Sequence, residues 1–348
     1  MKRTYFLLLL LLTLLPGACT KEDLSDLKDV VYVRRAGADM PARIYGNGAS
    51  GIFLIILHGG PGGSGLEYRS GGYSDQLEEK YAVVYWDQRG QGMSQGHYPS
   101  GRVNLRDMAE DVKALVLVLK HKYGDDISLF LMGHSWGGML GTAVITTEDY
   151  QHLFKGWIEV DGAHDMPEVF RGGIEDMITI GRQQIAQGHD SAYWQDLVSW
   201  AESVDTSELD VEKVKEQNIR AAEAENKLTK WGVINEPEMT GKEMGVIFGN
   251  NPLTSAVAGS FTAGYIVRDQ DLIHISLTDS LYKVTIPCLF MWGAYDMVVS
   301  NKLARPAFEG VSSAHKTLIV FENSGHSPMA TEGDLFIQEV DEFIGKYK

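Results

Sequence analysis

Cysteine is nearly missing from this chain: two residues in 348, Cys19 and Cys288. A lone distant pair supplies no disulfide framework, and no Cys/His cluster has zinc-ligand spacing, so no metal is expected. Cys288 lies in an apolar run and reads as a buried structural thiol. Basic residues are also scarce, 31 Lys and Arg against 47 Asp and Glu, for a net charge of −16. That balance argues against nucleic acid as a partner and against charge-driven adsorption to anionic lipid. A glycine-rich phosphate loop, internal repeats and low-complexity segments are all absent, and no cofactor is expected.

Long apolar runs are confined to the N-terminus. Lys2 and Arg3 precede an apolar run over residues 5–15, and Pro16-Gly17-Ala18 lead to Cys19. The run is short for a bilayer span and reads as a signal peptide over residues 1–18, with a polar tether over 19–29. Small residues before a cysteine resemble a bacterial lipoprotein signal, although Pro16 departs from its usual leucine-like position. The resemblance implies a lipid on Cys19 as the only membrane attachment, and a location at the bacterial cell envelope, periplasmic or surface-exposed. Thr20-Lys21-Glu22-Asp23 also resembles a surface-transport tag. The alternative is cleavage near Ala18 and a free secreted protein.

What the chain does have is Gly133-His134-Ser135-Trp136-Gly137, preceded by an apolar run and followed by a helix-like one. In a sharp strand-to-helix turn the serine backbone is crowded, so the residues two places either side must be small. Ser135 would be lifted above the sheet, with the first free N–H groups of the next helix aimed at it. His58-Gly59-Gly60-Pro61-Gly62-Gly63 also follows an apolar run, and Gly60 is the expected second oxyanion donor beside Trp136.

Alternating segments at 30–35 and 40–45 predict two paired strands. Apolar runs at 52–57, 81–86, 129–132, 156–160, 284–292 and 316–321 predict strands of a mostly parallel sheet. Apolar residues recur at helical spacing over 104–123 and 334–347. From 163 to 282 the strong strands stop, and amphipathic segments at 168–187, 192–203 and 209–228 predict a helical cap insertion. The core is thus expected in two parts, 30–162 and 283–348, as an α/β sheet with helices on both faces.

Asp296 follows the strand ending near 292 and His326 follows the last strand, so both fall on the same rim as Ser135. Serine, aspartate, histidine is the chain order of this hydrolase arrangement. Ser135 would be the nucleophile, His326 the base and then acid, and Asp296 the group that holds the imidazole in one tautomer. Asp161, after the preceding strand, is the rival acid. His134 is the rival histidine and is expected to pack under the turn. Asp87 and Arg89 are expected to pair and brace neighbouring loops.

Residues 30–348 resemble the α/β-hydrolase superfamily. His58-Gly59-Gly60-Pro61-Gly62, Asp87-Gln88-Arg89-Gly90, the Ser135 turn and Gly325-His326 resemble its proline iminopeptidase branch. The resemblance implies metal-free release of N-terminal residues from small peptides; related enzymes cleave small esters or amides. The branch often carries glycine where this chain has His134. It also holds the substrate amine with cap glutamates, one directly after a tryptophan. Trp200-Ala201-Glu202 is offset by one residue, which makes Glu202 the expected amine-binding residue. Oligomeric state is not readable.

Overall fold

A strand covered on both faces has no polar side to show, so the continuous apolar runs become the middle of the sheet. A computed structural model of the chain describes residues 24–238, 242, 252–269 and 271–348; the signal-like segment and Cys19 lie outside them. The strands are β1 (Leu27–Arg35), β2 (Ala38–Gly46), β3 (Ile52–Leu57), β4 (Ala82–Trp86), β5 (Gln95–Gly96), β6 (Ser128–His134), β7 (Gly156–Val160), β8 (Cys288–Gly293) and β9 (Lys316–Phe321). They form one sheet in the order β1-β2-β4-β3-β6-β7-β8-β9, with β5 beside β2. β1 and β2 are antiparallel, as is the β2–β4 pair, and every pairing from β4 to β9 is parallel.

The helices are α1 (Gly72–Lys80), α2 (Leu105–Tyr123), α3 (Trp136–Thr146), α4 (Met166–Gln187), α5 (Ser191–Ser203), α6 (Val211–Lys230), α7 (Pro252–Asp269), α8 (Ala304–Gly310), α9 (Pro328–Thr331) and α10 (Gly333–Tyr347). Strand alternation divides the core into two layers. Phe53, Ile55 and Leu57 face α2 and α3, whereas Ile52, Leu54 and Ile56 face α1 and α10. Helices α4 to α7 lie between β7 and β8 in the chain. The mostly parallel sheet and helices α2, α3 and α10 are those expected; α1, α8 and the short β5 are additional. The first strand starts at Leu27, inside the expected tether, because Leu27 is buried in the core.

Asp87 and Arg89 do not pair with each other. The Asp87 carboxylate accepts from Ser64 Oγ and from the backbone N–H groups of Gly65 and Met93, and it meets Arg43 at 3.2 Å. Arg89 turns the other way. It grips Asp111 of α2 with two parallel bonds of 2.6 and 2.7 Å, and both side chains are fully buried. Residues two apart in an extended strand would share a face, but the chain turns at Arg89 and Gly90, which separates the two charges. Removing one partner of a buried ion pair leaves the other charge uncompensated. Asp111→Ala is therefore expected to cost about 3–5 kcal/mol of folding stability, measured by urea denaturation.

Candidate active site

β6 ends at His134, and Ser135 makes the turn into α3 with φ 58° and ψ −121°. A non-glycine residue at positive φ is strained and must be held by its surroundings. Ser135 N–H donates to the Val160 carbonyl at 3.1 Å, and its own carbonyl accepts from Gly138 and Ala163. The close packing is visible at the neighbours. A Cβ on Gly137 would lie 1.9 Å from the Leu57 carbonyl oxygen, and one on Gly133 would lie 2.2 Å from the Gly137 oxygen.

Trp136 is the first residue of α3, so its N–H has no partner within the helix. Gly60 and Trp136 line the same cleft as Ser135. The Gly60 loop is braced from several sides. Gln91 Oε1 accepts Gly62 N–H at 2.5 Å, and Gln88 Nε2 donates to the His58 carbonyl at 3.0 Å. Gln88 Oε1 also accepts the Trp136 indole N–H at 2.8 Å, tying this loop to the turn. From the cap side, α7 meets the loop backbone to backbone: a Cβ on Gly259 would lie 2.2 Å from the Gly62 oxygen.

Asp296 and His326 meet, although they are 30 residues apart: His326 Nδ1 donates to Asp296 Oδ2 at 2.8 Å. Asp296 is buried, and its other oxygen accepts the N–H groups of Val298 and Val299. Burial, and then the Glu225 charge, push its pKa upward. His134 joins this group to the turn. Its Nε2–H donates to the His326 carbonyl at 2.6 Å, and its Nδ1 accepts the Tyr68 hydroxyl at 2.5 Å. Tyr68 in turn accepts Gly59 N–H at 2.8 Å. One hydrogen-bonded chain thus runs from the glycine loop through the turn to the His326 loop. Burial and the neighbouring His326 charge lower the His134 pKa to about 3, which keeps the ring neutral and fixes its tautomer.

Asp161, the rival acid, is also here. His134, Asp161 and His326 each place a polar side-chain atom within 4.8 Å of the other two, the one metal-like trio among the described residues. Both His134 nitrogens are already engaged, one by the Tyr68 hydroxyl and one by the His326 backbone carbonyl, which leaves neither free as a ligand.

Glu202 is not at the site. It lies on α5, half-exposed and ion-paired with Arg182 at 2.5 Å. A different cap carboxylate arrives instead. Glu225 of α6 accepts Met297 N–H at 3.0 Å and His326 N–H at 2.9 Å, so it clasps the two loops that carry Asp296 and His326. Burial raises its pKa. In the sequence Glu225 is one of many glutamates on an amphipathic helix; only the packing of α6 onto the rim singles it out.

The cleft beside Ser135 has a volume of about 760 Å³. Its walls include Met139, Met166, Val169, Leu272 and Val298, and Glu212 and Lys215 are the charged residues among them.

His134 supplies a pH test. Its folded pKa lies below the unfolded value of 6.5, so the unfolded state binds the extra proton between them. Stability should fall as pH drops from about 6.5 toward 3, by up to about 1.4 kcal/mol per pH unit from this group. Denaturation of His134→Gln over that range should show a shallower decline than wild type.

The family model described as alpha/beta hydrolase fold matches residues 52–332. The proline iminopeptidase of Saccharolobus solfataricus is 26% identical over 90% of this chain and 91% of its own length. The probable aminopeptidase YbaC of Bacillus subtilis is 24% identical over 81% of this chain and 86% of its own. Among solved structures, a proline iminopeptidase-related protein of Thermus thermophilus superposes with a TM-score of 0.59 at 17% identity, covering 92% of this chain and 98% of that one. With a single model spanning most of its length and the turn, loops and sheet arranged as described, the chain belongs to the alpha/beta hydrolase fold family and resembles its proline iminopeptidase-like members.

Proposed function

We propose that the chain is a serine hydrolase that works through an acyl-enzyme, and that it releases N-terminal residues from small peptides. The observation that carries this reading is the 2.8 Å bond from His326 to Asp296, on a loop clasped to the residue next to Ser135. His326 Nε2 takes the proton of Ser135 Oγ as that oxygen attacks the scissile carbonyl carbon. The N–H groups of Gly60 and Trp136 hold the negative oxygen that forms. Asp296 keeps the proton on Nδ1 and stabilises the imidazolium. His326 then protonates the leaving amine, and water attacks the acyl-serine by the same relay to free both the product and Ser135.

The peptidase reading draws on the named relatives and on Glu225. A carboxylate has about four acceptor sites, and Glu225 uses two for backbone N–H groups. The remaining ones suit the ammonium of a peptide N-terminus, whose charge would also offset the burial of Glu225. The apolar cleft favours a second reading, a carboxylesterase acting on small neutral esters. For location, the N-terminal pattern supports a lipid on Cys19 and attachment at the cell envelope.

Two substrate panels separate these readings: aminoacyl-anilides, including the prolyl one, and short acyl esters of p-nitrophenol. Ser135→Ala should lose on the order of 10⁴-fold or more in kcat on whichever panel is active. Anilide cleavage abolished by acetylating the substrate amine supports the peptidase, and ester turnover alone sinks it. Glu225→Gln should raise KM for free-amine substrates about tenfold, while ester turnover changes much less. Cys19→Ser should move the protein from the membrane to the soluble fraction of cells expressing the full chain.

A further inference from the structure

The aspartate that holds His326 has a neighbour of the same kind. Asp161 follows β7 and Asp296 follows β8, adjacent parallel strands, so both carboxyls emerge at the same edge. Asp161 is fully buried and sits at φ 45°. Its Oδ1 accepts Gly293 N–H at 2.9 Å, and its Oδ2 is buried with no donor to it. The carboxyl lies within 4.8 Å of ring nitrogens of both His326 and His134.

Two buried carboxyls side by side cannot both ionise cheaply, so one proton stays between them. The donors decide where. Asp296 receives three, from Val298, Val299 and His326, whereas Asp161 receives one. The proton therefore belongs on Asp161, and on Oδ2, the oxygen without a donor. Burial and the Asp296 charge act in the same direction. The other titratable groups facing the pair are His326, His134, Tyr68 and Glu225.

We infer that Asp161 is a second acid of this site: a protonated carboxyl that hydrogen-bonds Asp296 and takes over orienting His326 when Asp296 is lost. The inference rests on the serine-hydrolase reading. In the intact site Asp161 is a positioning residue, and only one negative charge is shared by the pair. When Asp296 is replaced by asparagine, the negative charge that held the proton on Asp161 is gone, and that proton is released to solvent. Asp161 then ionises and accepts the His326 N–H.

The test compares wild type, Asp161→Ala, Asp161→Asn, Asp296→Asn and the double Asp161→Asn/Asp296→Asn. kcat is followed against pH on a substrate turned over in a Ser135-dependent way. Infrared difference spectra follow the carbonyl stretch of a protonated carboxyl. Asp161→Ala should lower kcat about tenfold with little change in KM, and Asp161→Asn should recover much of that loss, because its amide can donate to Asp296 and asparagine tolerates positive φ. Asp296→Asn should lose about 10²-fold and the double about 10⁴-fold, the loss typical when such a relay has no acid. The protonated-carboxyl band should be present near neutral pH and vanish in both Asp161 variants. Asp296→Asn as inactive as the double, or a band that survives at Asp161→Asn, overturns the inference. If no substrate shows Ser135-dependent turnover, the functional reading fails instead, and a wild type without the band overturns the proton placement independently.

Discussion

The bond from His134 Nε2 to the His326 carbonyl joins loops 192 residues apart, and the geometry of the site depends on it. A charged His134 could not accept the Tyr68 hydroxyl, and the chain of bonds to Gly59 would break at that atom. Burial keeps the ring neutral, so the same apolar packing that stabilises the sheet also fixes a tautomer at its rim. The glycine that the resembling branch often has at this position offers no side chain; histidine ties Tyr68 and the His326 loop together with opposite ends of one planar ring.

The cap is held to this rim by charge in an unusual place. Glu225, Asp296 and Asp161 gather around one imidazole, three acids to one base. Backbone N–H groups rather than lysine or arginine satisfy most of their oxygens. Neutral dipoles support a carboxylate without adding a competing cation beside the imidazole.

The sheet was legible because a strand buried on both faces must be mostly apolar: β3, β4 and β8 are so throughout, and β7 departs only at Glu159. The rim was legible because strand ends, glycines and chain order are local properties. Pairings made by tertiary packing were not. Asp111 is a charge within an amphipathic helix, yet it is fully buried against Arg89. Glu202 and Glu225 both lie on amphipathic cap helices, and only the rotation of each helix decides which one reaches the site. Helix α7 gave no periodic signal, since serine, alanine, glycine and threonine fill much of it. Helix α1, short and polar, escaped for the same want of an apolar stripe.

That small-residue composition has a consequence at the contact between Gly259 and Gly62. Two peptide backbones touch there with no side chain between them. Recognition of the core by this part of the cap is therefore written in shape and not in chemistry. At this one point any added methyl group would push α7 away from the glycine loop that carries Gly60. That bare patch therefore sets how near α7 can stand to the cleft beside Ser135, whatever the rest of the helix carries.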